Sequence, residues 1–304
     1  MDGRDSMDSV GTVLFAADPL RPGRVDPHFA AQAEAVRELG GTVKTVDHDA
    51  LAHGDAEGAA RRVDRDLGPA WYRGWMIPAV AYRALATALA GRGTPLVVGP
   101  GAYVRAHHLP GWYPLFAEAT PASVWWAAQP GEVPGEAELA RALAPLGGGA
   151  GMVKDYVKSR KDAWADACHI PELSDTPAAL AVVRRFVELQ GEYLEGGVVV
   201  RAFEPFEGTD GRAAEARVWW RDGEPVLVAP HPDSPGELVE PDVEPFRPLV
   251  DALACRFVTT DLARRTDGRW RLVELGDAQV SDAGAGVPPD ALARMLLGLP
   301  MAED

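Results

Sequence analysis

The sequence predicts two unlike halves: an α/β unit of parallel strands and helices, then an α+β unit of antiparallel strands. Three observations carry this. Strand-like and helix-like runs alternate through residue 120. A stretch rich in Pro, Gly and Glu, "AAQPGEVPGEAEL" at 127–139, interrupts that alternation. Beyond it, two Asp-Gly dipeptides sit between apolar alternations, the signature of β-hairpins.

In order, "TVLFAA" (12–17) is a short apolar strand, and "HFAAQAEAVRELGG" (28–41) has helical periodicity and stops at glycine. "TVKTVDH" (42–48) reads as a strand, "AVAYRALATALAGRG" as a helix and "PLVVG" (95–99) as a further strand. "HHLPGWYPLF" reads as a packed irregular segment. In the second half, "AEARVWWRDGEPVLVAPH" and "CRFVTTDLARRTDGRWRLVELG" read as hairpins. "TPAALAVVRRFVELQGEYL" and "PPDALARMLLGL" read as helices.

A chain of 304 residues can bury a substantial core as one large or two medium domains. Its apolar runs fall short of a bilayer span, and "MDGRDSMDSV" lacks the basic and apolar blocks of a signal peptide. Two cysteines make no disulfide framework. A cytoplasmic protein with no membrane partner is expected. The net charge of −15 disfavours nucleic acid, whose phosphates would be repelled.

Positive charge is nevertheless concentrated at one point. Of 30 basic residues four are lysine, and three of those (Lys154, Lys158, Lys161) lie in "VKDYVKSRKDAW". Lysine is a compact charge on a flexible stem, suited to phosphate oxygens; the plainer reading is a solvated face. The glycines of "GGGAG" (147–151) lack the GK[ST] ending of a phosphate-binding loop and feed the strand that carries Lys154. His107 and His108 have no Cys or acid at ligand spacing, so zinc is not expected there.

The second hairpin poses an electrostatic problem. A two-residue type I′ turn at Asp267-Gly268 sets Asp261 directly across from Glu274. Opposed like charges are destabilising unless one pKa rises, an arginine bridges them or a divalent cation binds between them. A different turn length would leave two unrelated acids. Upstream, Arg217 alternates with Val218 and Trp220 in "EARVWW", and Arg201 ends the apolar run "VVVRAFEP". Arg73, at a strand end in "WYRGWMI", is positioned either to reach a substrate carboxylate or to serve the structure.

The ordered set of Lys154, "VVVRAFEP", Arg217, Asp261 and Glu274 resembles the ATP-grasp superfamily, which includes D-alanine–D-alanine ligase and ribosomal-protein glutamate ligases. The resemblance spans roughly residues 147–281. It implies an α/β pre-ATP-grasp domain (1–126) followed by an α+β ATP-grasp domain (127–304), whose small (about 140–205) and large (206–304) subdomains clasp ATP. It implies that Lys154 and Arg217 act on the phosphates, and that Lys158, Arg201 and Glu204 contact the nucleotide, Glu204 at adenine or ribose. Asp261 and Glu274 would hold Mg²⁺. Gly276 stands where the family has Asn, so Asp277 is the candidate replacement ligand. Gln279, Ser281 and Arg73 would face the substrate. The implied activity is an ADP-forming ligase joining a small-molecule or peptide carboxylate to an amine through an acylphosphate. Phosphotransfer, or nucleotide binding without catalysis, are the alternatives.

Overall fold

The computed structural model describes residues 11–209, 212–234, 239–284 and 286–301; the acidic N-terminal stretch lies outside them. The chain opens with β1 (Thr12–Asp18), β2 (Arg21–Val25), α1 (Ala30–Glu38), β3 (Thr42–Val46), α2 (His48–Ala52), α3 (Ala56–Ala60), β4 (Ala70–Arg73) and α4 (Ala79–Ala90). β1 is buried along its whole length because β3 and β4 flank it in parallel and helices cover its faces. The run "PLVVG" forms only an isolated bridge between Ala70 and Leu96. Pro95 and Pro100 bracket it, and neither can donate to a ladder.

Two further helices follow, α5 (Pro100–His107) and α6 (Leu109–Phe116). The second corrects the irregular reading of "HHLPGWYPLF". Pro110 lies in the first turn, where its missing N–H leaves no gap, and Leu109, Trp112 and Phe116 are buried at helical spacing.

Next come β5 (Ser123–Ala127), α7 (Glu136–Leu143), β6 (Gly151–Asp155), β7 (His169–Ile170), α8 (Thr176–Gln190) and β8 (Gly197–Ala202). They form an antiparallel sheet in the order β5-β8-β6-β7. A boundary at residue 126 therefore falls inside a strand. β5 pairs with β8 and belongs to the small subdomain, and the Pro/Gly-rich stretch is a loop within that subdomain.

The remainder contains β9 (Gly208–Thr209), β10 (Arg212–Ala213), β11 (Glu215–Arg221), β12 (Glu224–Pro230), α9 (Arg247–Ala252), β13 (Phe257–Arg264), β14 (Trp270–Asp277) and α10 (Pro289–Leu297). Its main sheet runs β12-β11-β13-β14, all antiparallel. The two Asp-Gly turns differ. Asp222 and Gly223 both have positive φ (51° and 84°), giving the two-residue turn with Arg221 opposite Glu224. At Asp267-Gly268 only Gly268 is positive (φ 87°), and Arg265 N–H donates to Arg269 O, so the loop holds three residues. The register near that turn is displaced by one residue. An irregularity beside Asp261 then restores it, and Asp261 does pair with Glu274.

Two hydrophobic cores result. One fuses the N-terminal domain (Phe15, Tyr72, Trp112) with the large subdomain (Trp219, Phe257, Leu292). The other is confined to the small subdomain (Leu139, Val153, Phe186, Val198, Val200). β8 contributes to both, because alternate strand residues face opposite ways: Val198 and Val200 join the small core, Val199 the large one.

Candidate active site

Where β6, β11, β13 and β14 converge, a cavity of about 640 Å³ opens between the small subdomain and the fused body. Lys158 and Lys161 line one side, from the loop after β6. Arg217, His231, Asp261 and Glu274 line the other. Strand parity explains the second group: Arg217 pairs with Asp261 across β11–β13, and Asp261 with Glu274 across β13–β14, so all three point to one face.

Each acid in this row carries its own cation. Arg217 Nε and Nη2 donate to the two oxygens of Asp261, both at 2.8 Å. Lys154 Nζ donates to Glu274 Oε1 at 2.9 Å. Burial alone would raise the Asp261 carboxyl, but the charge and hydrogen bonds of Arg217, with His231, hold it well below the usual carboxylate range. Burial likewise opposes ionisation of Glu274; Lys154 outweighs both that and the repulsion from Asp261, and its pKa is lowered. Arg217 is pushed upward, since Asp261 and Glu274 overcome its desolvation. Of the ways an opposed pair can be tolerated, paired cations are the one present.

His231 is a site residue that sequence reasoning missed. Its Nδ1 accepts the Asp233 N–H at 3.1 Å, which turns Nε2 toward Asp261 Oδ2 at 3.3 Å and Arg217 Nη2 at 3.0 Å. Asp261 raises its pKa against the opposing effect of burial. The signal was present but shifted: an unbroken hairpin would place Ala214 opposite His231. An irregularity at Trp219/Trp220 brings Glu215 there instead, its carbonyl accepting His231 N–H at 3.0 Å. Glu215, His231 and Asp261 each offer a ligand atom within 4.8 Å of the others, with Arg217 bonded among them.

The remaining expected site residues divide. Ser281 lines the cavity, and its Oγ lies 2.7 Å from Thr259 Oγ1. Asp277 is corrected as a metal ligand: it lies an odd number of residues from Glu274, and its carboxylate turns to the opposite side of the sheet. There Oδ1 accepts from Gln279 N and Nε2, Oδ2 has no partner, and burial pushes the pKa up to about 7. Gln279 is likewise structural, tying Tyr72 N–H and the Tyr82 hydroxyl together. Arg73 is fully buried and donates to the carbonyls of Gln279 (3.0 Å) and Ser281 (2.8 Å) and to Gln32. It fixes the loop after β14 and does not line the cavity. Arg201 is held by Val273 O and Thr120 Oγ1, and Glu204 by Arg271 and Arg265. Neither lines the cavity, because each already has partners beneath it.

The donor chemistry suits a hard cation. Asp261 and Glu274 are oxygen ligands on one wall, the set that Mg²⁺ takes. Gly276 does not complete it. A Cβ there would meet Ser281 Oγ at 3.5 Å and Thr259 Oγ1 at 3.6 Å, ordinary contacts, so crowding does not demand glycine.

Residues 145–296, half of the chain, match an ATP-grasp domain family, family 3 of its clade. The chain belongs to this ATP-grasp family. Among solved structures, it resembles the D-cycloserine synthetase DcsG at 17% identity and TM-score 0.62, over 95% of this chain and 99% of that one. A RimK domain ATP-grasp protein from Sphaerobacter thermophilus DSM 20745 matches at 18% and 0.57, over 95% and 100%. The ATP-grasp ligase PsnB, solved with its precursor peptide PsnA2 and AMPPNP, matches at 13% and 0.56, over 95% and 97%. At these identities the likeness establishes the fold, a two-domain mixed α/β architecture with antiparallel ATP-grasp sheets. No curated protein sequence matches. Among the described residues of this ATP-grasp protein, no helix is long and apolar enough to cross a membrane.

Proposed function

We propose that this ATP-grasp protein is a carboxylate–amine ligase that consumes ATP, passes through an acylphosphate and releases ADP. The observation that carries the reading is the row of two ion pairs, Arg217–Asp261 and Lys154–Glu274, along one cavity wall. Arg217 and Lys154 can exchange their carboxylates for phosphate oxygens, which frees Asp261 and Glu274 to hold Mg²⁺. The exchange conserves local charge. Bound there, Mg²⁺ supplies neutralisation of the polyphosphate. Lys158 and Lys161, on the facing loop, add positive charge from the other side.

The chemistry then needs positioning more than a protein nucleophile. A substrate carboxylate oxygen bonds to the γ-phosphorus as the bond to the β-phosphate oxygen breaks, and ADP departs. The amine nitrogen next bonds to the acyl carbon, the carbon–oxygen bond to phosphate breaks, and the amine proton passes to solvent. Arg217 stabilises the transferring phosphoryl group, a role its bidentate fork suits. The fold relatives support the reading by title: they include a peptide ligase and a D-cycloserine synthetase.

The test is ADP release with MgATP against a panel of amino acids and dipeptides, followed by product mass. An amide is expected, whereas a phosphorylated product without amide would indicate a phosphotransferase. Glu274→Gln is expected to lower ADP release by at least about 10²-fold while the protein stays folded. Full turnover in that variant contradicts the metal assignment.

A further inference from the structure

Beside the first cavity lies a second, of about 440 Å³, between the N-terminal domain and the small subdomain. Met76, His107, Val157, Lys158, Ser159 and Asp162 line both, so the two recesses are continuous. Its volume suits a molecule of amino-acid size. Its chemistry is the opposite of its neighbour's. The carboxylates in its wall are Asp155, Asp162, Glu192 and Glu195, and its cations are Lys158 and Arg160.

Internal partners remove some of these groups. Asp155 accepts from the backbone N–H groups of Val157 and Lys158 and from Gln190 Nε2, so it shapes the loop. Asp162 pairs with Arg160 at 2.9 Å. Glu195 is held at one oxygen only: Oε1 receives Ala79 N–H and lies 3.2 Å from His108 Nε2. Glu192 has no ion-pair partner among the described residues. Beside it Tyr193 is 89% exposed, and Met76, Ile77, Pro78 and Val157 supply an apolar floor. An unpaired carboxylate, a half-free one, an exposed ring and an apolar floor together describe a receptor for an ammonium group on an apolar or aromatic body.

We infer that this second cavity binds the amine substrate in its ammonium form, with Glu192 and Glu195 as the recognising carboxylates and Tyr193 against its apolar body. The inference rests on the ligase reading only for the word substrate; the binding site stands on its own geometry. The two cavities divide the ligands by charge: anions at Arg217, Lys154 and Lys161, the cation at Glu192 and Glu195. Lys158, without an ion-pair partner among the described residues, stands at the junction.

The test is titration calorimetry of the full chain, without nucleotide, using tyramine and its carboxylate counterpart 3-(4-hydroxyphenyl)propionate. Tyramine is expected to bind and the acid to bind at least about tenfold more weakly, the size of one hydrogen bond to a charged group. Glu192→Gln should weaken tyramine by a similar factor, and Glu192→Lys should reverse the preference. Glu192 is exposed, so these variants keep the fold. Equal affinity for the two probes, or tyramine binding unchanged in both variants, overturns the site. A protein that binds tyramine as expected yet releases no ADP from MgATP keeps the site and loses the ligase reading. Amide formation without selective tyramine binding does the reverse.

Discussion

The two hydrophobic cores make an instructive contrast. The larger joins the N-terminal domain to the sheet that carries Arg217, Asp261 and Glu274, so the acid-bearing wall is part of a rigid body. The smaller belongs to the subdomain that carries Lys154, Lys158 and Lys161. Cations on one core face acids on the other. The difference teaches that the cleft lies on the seam between cores, where relative movement disturbs the least packing, and that ion pairs such as Lys154–Glu274 hold it together.

The largest expected effects come from breaking one core and not the other. Trp219→Ala removes a fully buried ring from the shared core, with an expected cost of about 3–5 kcal/mol and a lowered melting transition for the N-terminal domain and large subdomain together. Phe186→Ala, in the small core, should cost about as much but act on the small subdomain. Calorimetry that shows identical profiles for the two variants would erase the distinction. Arg217→Met leaves Asp261 ionised in a buried site and should cost about 3–5 kcal/mol, measured by denaturant titration.

A smaller effect should appear with pH. Asp277, on the shared-core side, keeps its proton up to about pH 7, whereas in the unfolded chain it ionises near the ordinary aspartate value. Between those values the native state binds more protons, so stability falls as pH rises, by at most about 1.4 kcal/mol per pH unit, and levels off above. Asp277→Asn should flatten that slope in denaturant titrations between about pH 4.5 and 8; an unchanged slope would place the titration elsewhere. Smallest of all, Lys161→Met removes an exposed 3.4 Å pair with Asp233 across the seam and should change stability by less than about 1 kcal/mol.

Much of this arrangement is legible in the sequence. Periodicity locates β1, α1, β3, α4, α8 and α10, and the Asp-Gly dipeptides locate both main hairpins. The Asp261–Glu274 pairing follows from the sequence for an incomplete reason, since a three-residue loop and a compensating irregularity restore the register that a simple turn implies. Asp277 is misassigned as a ligand although strand parity alone turns it away from Glu274. Arg73, Arg201, Glu204 and Gln279 are misassigned for a different reason: a charged or amide residue does not announce its partner. Each is neutralised by carbonyls or side chains distant in sequence, such as Arg73 with Gln279 and Ser281. His231 stays hidden because an irregularity in β11 moves it beside Glu215. β5 falls to the wrong unit because its partner, β8, lies about seventy residues downstream.

The double allegiance of β8 has a consequence for dissecting the molecule. A fragment spanning β5 to β8 would carry its own interior away intact, yet lay Val199 and the Arg201 guanidinium bare along one edge. The complementary fragment would lose the residue that fills the far end of its own interior. The smaller jaw can rock against the rest of the molecule, but no cut in the chain frees it without wounding both pieces.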